Sequence, residues 1–107
     1  MTRGASPKIA PADDAVAQAR RALHMAIGER ILEMRSSIGL GREECASGAG
    51  IDMSSMYRIR KGQQNQTAAT FARIALSLGT SMEELLMGVH PDPAICAVRP
   101  RTWLSSA

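Results

Sequence analysis

Between Leu40 and Gly62 the chain reads LGREECASGAGIDMSSMYRIRKG, and the side chains best equipped for chemistry cluster at its end. Arg58, Arg60 and Lys61 lie within four positions, with Met53, Ser54 and Tyr57 one or two helical turns ahead. The chemistry such residues offer is non-covalent. A guanidinium can bond two acceptors at once, as guanine O6 and N7 present them, worth about 1–3 kcal/mol of discrimination between bases. A hydroxyl can donate or accept, a thioether can touch a thymine methyl, and a phenol offers a ring and a hydroxyl to sugar or phosphate. The same cluster also suits an ordinary solvated helix end, where cations meet the negative pole of the dipole.

The elements that must carry these residues are short helices. Arg42–Ala49 reads as one, with Cys45, Ala46 and Ala49 inward. Gly50 can supply the positive φ of a sharp turn. Asp52 is placed to cap the next helix by accepting the amide of Ser54 or Ser55. In that helix Ile51, Met56 and Ile59 face in, while Met53, Ser54, Tyr57, Arg58 and Lys61 face out, and Gly62 stops it. Two helices joined this tightly form the unit that presents an exposed helix to the major groove.

The flanking segments are helical too. Leu23, Ile27, Ile31, Met34 and Ile38 recur at spacings of three and four and define one stripe. A first helix is expected over roughly Ala22–Ser37, beginning as early as Asp13, with Gly28 as its weak point. Thr67 caps a fourth helix over Ala68–Leu78, whose inward residues are Phe71, Ile74, Ala75 and Leu78. Ser81 and Glu84 form a capping box for a fifth helix that ends near Gly88. Residues 1–11 carry two prolines and a glycine and read as a flexible arm, and 90–107 read as an irregular tail in which Trp103 can pack back on the domain or on a partner. The expected organisation is an arm over 1–21, flexible or partly helical, a helical domain over 22–89 and a tail over 90–107. The fold class is all-α, a compact five-helix bundle.

Composition bounds the function. With 107 residues there is room for one domain. Tyr57, Phe71 and Trp103 are the only aromatics, so Ala, Leu, Ile and Met must fill the core. The net charge of +3 favours an anionic partner mildly. Between 23 and 89 the bases Arg30, Arg35, Arg42, Arg58, Arg60, Lys61 and Arg73 are matched by as many acids, so positive charge within the domain is local, at Arg58–Lys61. Cys45 and Cys96 make neither a disulfide framework nor a zinc site, and His24 and His90 are isolated, so no metal or other cofactor is expected. Gly39 and Gly41 are followed by Glu44 rather than a third glycine, no P-loop occurs, and no serine, histidine and acid stand in an active-site context. The chain therefore reads as no enzyme. No stretch reaches membrane-spanning length and no apolar run follows Arg3 and Lys8, so the cytoplasm is the expected location.

From Ile27 to Gly88 the chain resembles the Cro and lambda-repressor type of helix-turn-helix, the XRE family. The residues that carry the resemblance are IGERILEMR, then GREECASGAGIDMSSMYRIRKG, the loop QQNQT, and FARIALSLGTSMEELLMG, in that order. The resemblance implies a small transcriptional regulator, a dimeric repressor that binds double-stranded DNA. Met53, Ser54, Tyr57 and Arg58 would contact bases. Arg42, Ser55, Lys61, Gln63, Gln64 and Asn65 would contact the backbone. Met82, Leu86, Met87 and Val89 would form the homodimer interface. Two or three phosphate-binding cations per subunit imply a salt slope of about −2 to −3, and two subunits would read half-sites about 34 Å apart.

The chain departs from the pattern at four places. Gly41 stands where a capping Ser or Thr is usual, Cys45 replaces a leucine, and Gln66 replaces a frequent proline. Arg60 stands where glutamate often pairs with the arginine matching Arg35, so that ion pair cannot form. One arginine must find solvent, a phosphate, or an acid such as Glu29, Glu33 or Glu44. These departures leave two alternatives open: an antitoxin that binds DNA and a toxin protein, and a protein-interaction module in which the third helix meets no DNA.

Overall fold

A computed structural model describes residues 11–96; residues 1–10 and 97–107, Trp103 among them, lie outside the described residues. The described chain is all-helical. Helix α1 spans Pro11–Ser37, α2 Arg42–Ala49, α3 Met53–Arg60, α4 Ala68–Ser77 and α5 Met82–Leu85, followed by a 3₁₀ turn at Pro93–Ile95. No helix among these is long and apolar enough to cross a membrane.

One core joins the five helices. Ile27 and Ile31 of α1 meet Cys45, Ala46 and Ala49 of α2, Met56 and Ile59 of α3, Ile74 and Ala75 of α4 with its C-cap Leu78, and Leu85 of α5. Leu23, Met34, Leu40, Ile51 and Phe71 close its edges. Ile38 does not join the stripe: it is 55% exposed, because α1 ends at Ser37 and the helical period stops there. The first helix continues without a break to Pro11, where proline suits a first turn. The fifth helix is shorter than its pattern suggests, ending at Leu85 with Leu86 as its C-cap.

Gly28 explains the continuity of α1. A Cβ built on it would lie 2.2 Å from the carbonyl oxygen of Arg60. The end of α3 thus rests directly on the α1 backbone, and glycine is there for proximity rather than as a breaker. Gly62 makes the reciprocal contact, since a Cβ on it would sit 2.7 Å from the Met25 side chain and 2.9 Å from its backbone. This crossing sets where the basic end of α3 stands.

Side chains tie the remaining elements. Arg73 of α4 donates to the Ala49 carbonyl at 3.0 Å, and Ser77 donates to the Cys45 carbonyl at 2.8 Å, holding α2 against α4. Arg30 of α1 donates to the carbonyls of Glu84 and Leu85 and satisfies the end of α5. Thr67 accepts the Thr70 amide at 3.2 Å, and Ser81 accepts the Glu84 amide at 3.0 Å, as the caps predict. The Glu84 carboxylate does not return the bond to Ser81; it accepts the Thr80 hydroxyl at 3.2 Å.

Candidate nucleic-acid interface

The turn between α2 and α3 is built by Gly50 in the left-handed region, φ 70° and ψ 34°. The Ile51 amide reaches back to the Ala46 carbonyl at 2.9 Å and the Gly50 amide to Ser47 at 3.1 Å, closing α2. Only Ile51 and Asp52 then separate Gly50 from α3, so the two helices form a helix-turn-helix.

Helix α3 buries Met56 and Ile59 and leaves Met53, Ser54, Tyr57 and Arg58 exposed. These are the four predicted base-contacting residues, and they share one outward surface. Asp52 does not cap the helix as expected. Its carboxylate accepts the Ser54 hydroxyl at 2.8 Å, and no side-chain bond to the helix amides forms. Hydroxyl bonds from Ser55 and Ser54 hold this carboxyl below its ordinary value, so Asp52 carries full negative charge at neutral pH.

Arg58 is not a free cation. Its Nε donates to Gln64 Oε1 at 2.6 Å, and its Nη2 donates to Ser55 Oγ at 3.3 Å. Gln64 and Ser55, predicted to touch phosphate, are bonded to Arg58 here. Lys61 stands over the Tyr57 ring, with Nζ 5.9 Å from its centre. Gln63 and Asn65 are exposed in the loop that follows.

At the start of α2, Gly41 has no side chain to cap with, yet the end is not bare. The Gly41 amide donates to Glu44 Oε1 at 2.9 Å. That carboxylate, with exposed Glu43 beside it, meets the positive pole of the helix. An anion approaching here would depend on the exposed Arg42 side chain rather than on the helix amides.

Arg42 faces a cleft of about 250 Å³ that it shares with Arg35, Tyr57, Arg60 and Lys61. The two arginines mismatched in the sequence, Arg35 and Arg60, find separate partners. Arg35 Nη1 donates to the Leu40 carbonyl at 3.2 Å. Arg60 leans toward Glu29, with Nη1 3.8 Å from Oε2, a loose pair with an exposed carboxylate. Four cations therefore converge with no acid lining the cleft itself. Such an arrangement makes the potential in the cleft positive. The sequence reading left one of Arg35 and Arg60 to find solvent, an acid or a phosphate and named neither among the contact residues; both line the cleft. It placed Arg42 and Lys61 in the site, and both line the cleft.

Of the residues assigned to a dimer contact, Met82, Leu86 and Val89 are half-buried against the core, whereas Met87 is 60% exposed.

No family model and no curated protein matches the chain. Among solved structures it is similar to the restriction-modification controller protein C.AhdI from Aeromonas hydrophila, with a TM-score of 0.56 and 29% sequence identity. The match covers 58% of this chain and 94% of the controller protein. An all-helical fold with a helix-turn-helix is thus common to this chain and a protein known as a restriction-modification controller.

Proposed function

We propose that the chain is a sequence-specific duplex-DNA-binding transcription regulator of the Cro and lambda-repressor type, acting as a homodimeric repressor. The observation that carries this reading is the juxtaposition of an α3 surface exposed among the described residues, Met53, Ser54, Tyr57 and Arg58, with the four-cation cleft at its end. Similarity to a restriction-modification controller supports the regulatory role.

Helix α3 enters the major groove, where Arg58 bonds guanine, Ser54 and Met53 meet neighbouring base edges, and Tyr57 reaches sugar or phosphate. Arg42, Lys61, Arg35 and Arg60 draw one phosphodiester into the cleft, and Gln63 and Asn65 bond the backbone beyond α3. Ser55 and Gln64 act through Arg58. The symmetric contact runs through Met87 and the open edges of Met82, Leu86 and Val89. Occupation of an operator by two such subunits blocks a promoter sterically.

Selection of bound duplexes from a random pool tests this reading. The full chain should enrich a pseudo-palindromic site with half-sites about 34 Å apart. Arg58→Ala should relax preference at one base pair per half-site by about 1–3 kcal/mol, while Lys61→Ala should weaken all sequences alike. No enrichment by the unaltered chain would overturn the function. Equal, sequence-independent losses from both variants would overturn the roles.

A further inference from the structure

The amino-terminal half of α1 carries a basic pair that the helix-turn-helix does not use. Arg20 and Arg21 are exposed, and no acid pairs with either among the described residues. The carboxylate nearly two turns earlier, Asp14, accepts a bond from Gln18. With His24 and Ala17, the two arginines form one wall of an open groove of about 430 Å³, and Gly62, Gln63 and Asn65 form the other. The walls cannot drift apart easily, because Gly62 is seated against Met25 with no room for a Cβ.

This groove is not isolated. A smaller depression lined by Met25, Glu29, Arg60 and Lys61 lies on the same α1–α3 crossing. Lys61 and Arg60 line both that depression and the four-cation cleft. The three hollows share residues or sequence neighbours, and Glu29 is the one acid among their lining residues. Positive charge thus predominates from Arg42 across the end of α3 to Arg20, interrupted by Glu29 alone among the lining residues. A strip of cations with amide donors along it matches a run of successive phosphates better than it matches a single small anion.

We propose that the groove between Arg20, Arg21 and His24 on α1 and Gln63 and Asn65 on the α3–α4 loop is a second DNA-backbone site. The ligand is a phosphodiester of the same duplex that α3 reads, so the proposal rests on the function proposed above. Arg20 and Arg21 supply the charge, and His24, Gln63 and Asn65 supply further hydrogen-bonding groups. The site lengthens the backbone contact without adding to base discrimination.

The test is the salt dependence of binding to a long mixed-sequence duplex, using the full chain, its Arg20→Ala/Arg21→Ala form and its Arg20→Lys/Arg21→Lys form. Loss of two phosphate contacts per subunit should make the alanine form's log–log slope shallower by about 2, at 0.9 per phosphate. The lysine form should keep the parent slope. Thermal melting should be unchanged in both, since the two side chains are exposed. A parent slope retained by the alanine form, while Lys61→Ala still loses about 1, would overturn this groove and leave the proposed function intact. Absence of duplex binding by the parent chain would overturn both.

Discussion

At the scale of single residues, the side chain best suited to read a base is held before any base arrives. The bonds from Arg58 to Gln64 and Ser55 restrict its rotamers. An exposed hydrogen bond of this kind contributes about 0.5–1.5 kcal/mol, and the Gln64 bond uses Nε, which leaves the two terminal nitrogens for guanine once the Ser55 bond opens. On the proposed function, Gln64 is therefore a positioning residue. Gln64→Ala should lower discrimination at the Arg58 base pair by roughly three- to tenfold, the equivalent of that bond energy, while affinity for random duplex stays near that of the parent. Competition binding with duplexes differing at that one pair measures it. A uniform loss across sequences would instead make Gln64 a phosphate ligand. The arginines at 35 and 60 teach a related point. A lost acidic partner leaves two cations that the fold accommodates with a carbonyl and a loose carboxylate, and so leaves them available to an external anion.

At the scale of elements, the position of α3 is decided by its close approach to α1. Gly28→Ala should improve intrinsic helix propensity by about 1 kcal/mol. Against this, the added methyl would meet the Arg60 carbonyl oxygen at 2.2 Å, a backbone group that cannot rotate away. Overpacking of this kind costs about 1–3 kcal/mol or more, so the clash wins. Thermal unfolding should show a drop of roughly 4–8 °C for each net kcal/mol lost in a domain of this size. A higher melting temperature would mean that α1 and α3 do not meet at Gly28. The same substitution would push the end of α3, with Arg60 and Lys61, off α1 and its Arg35, so on the proposed function phosphate affinity should fall with stability. The element boundaries follow similar logic. The capping residues Thr67 and Ser81 were legible because their chemistry is local, whereas Asp52 was misread because two neighbouring hydroxyls compete for its carboxylate.

At the scale of the whole molecule, one small core holds all five helices, and a buried thiol reports on it. Cys45 is fully enclosed and burial pushes its pKa up, against smaller opposing effects of Ser77 and Arg35, so it stays protonated at neutral pH. Cys96 is exposed. A chromogenic disulfide reagent should label one thiol per chain at once, and the second only as fast as the domain unfolds. Equal rates for both thiols would break the single-core description, because Cys45 lies among residues of every helix.

Much of this protein is legible in its sequence: the five helices, the turn at Gly50, the inward and outward faces of α3, and the basic character of its end. Those follow from local rules, namely apolar period, cap chemistry and the conformational freedom of glycine, which act over a few neighbouring residues. What the order of residues could not reveal is which distant groups meet. The cleft that gathers Arg35, Arg42 and Arg60, the bond between Arg58 and Gln64, the reach of α1 beside the α3–α4 loop, and the covering of Met82, Leu86 and Val89 all depend on helix crossings. Crossing geometry is set by how closely two backbones can approach, and only the packed structure shows that Gly28 and Gly62 let α1 and α3 touch.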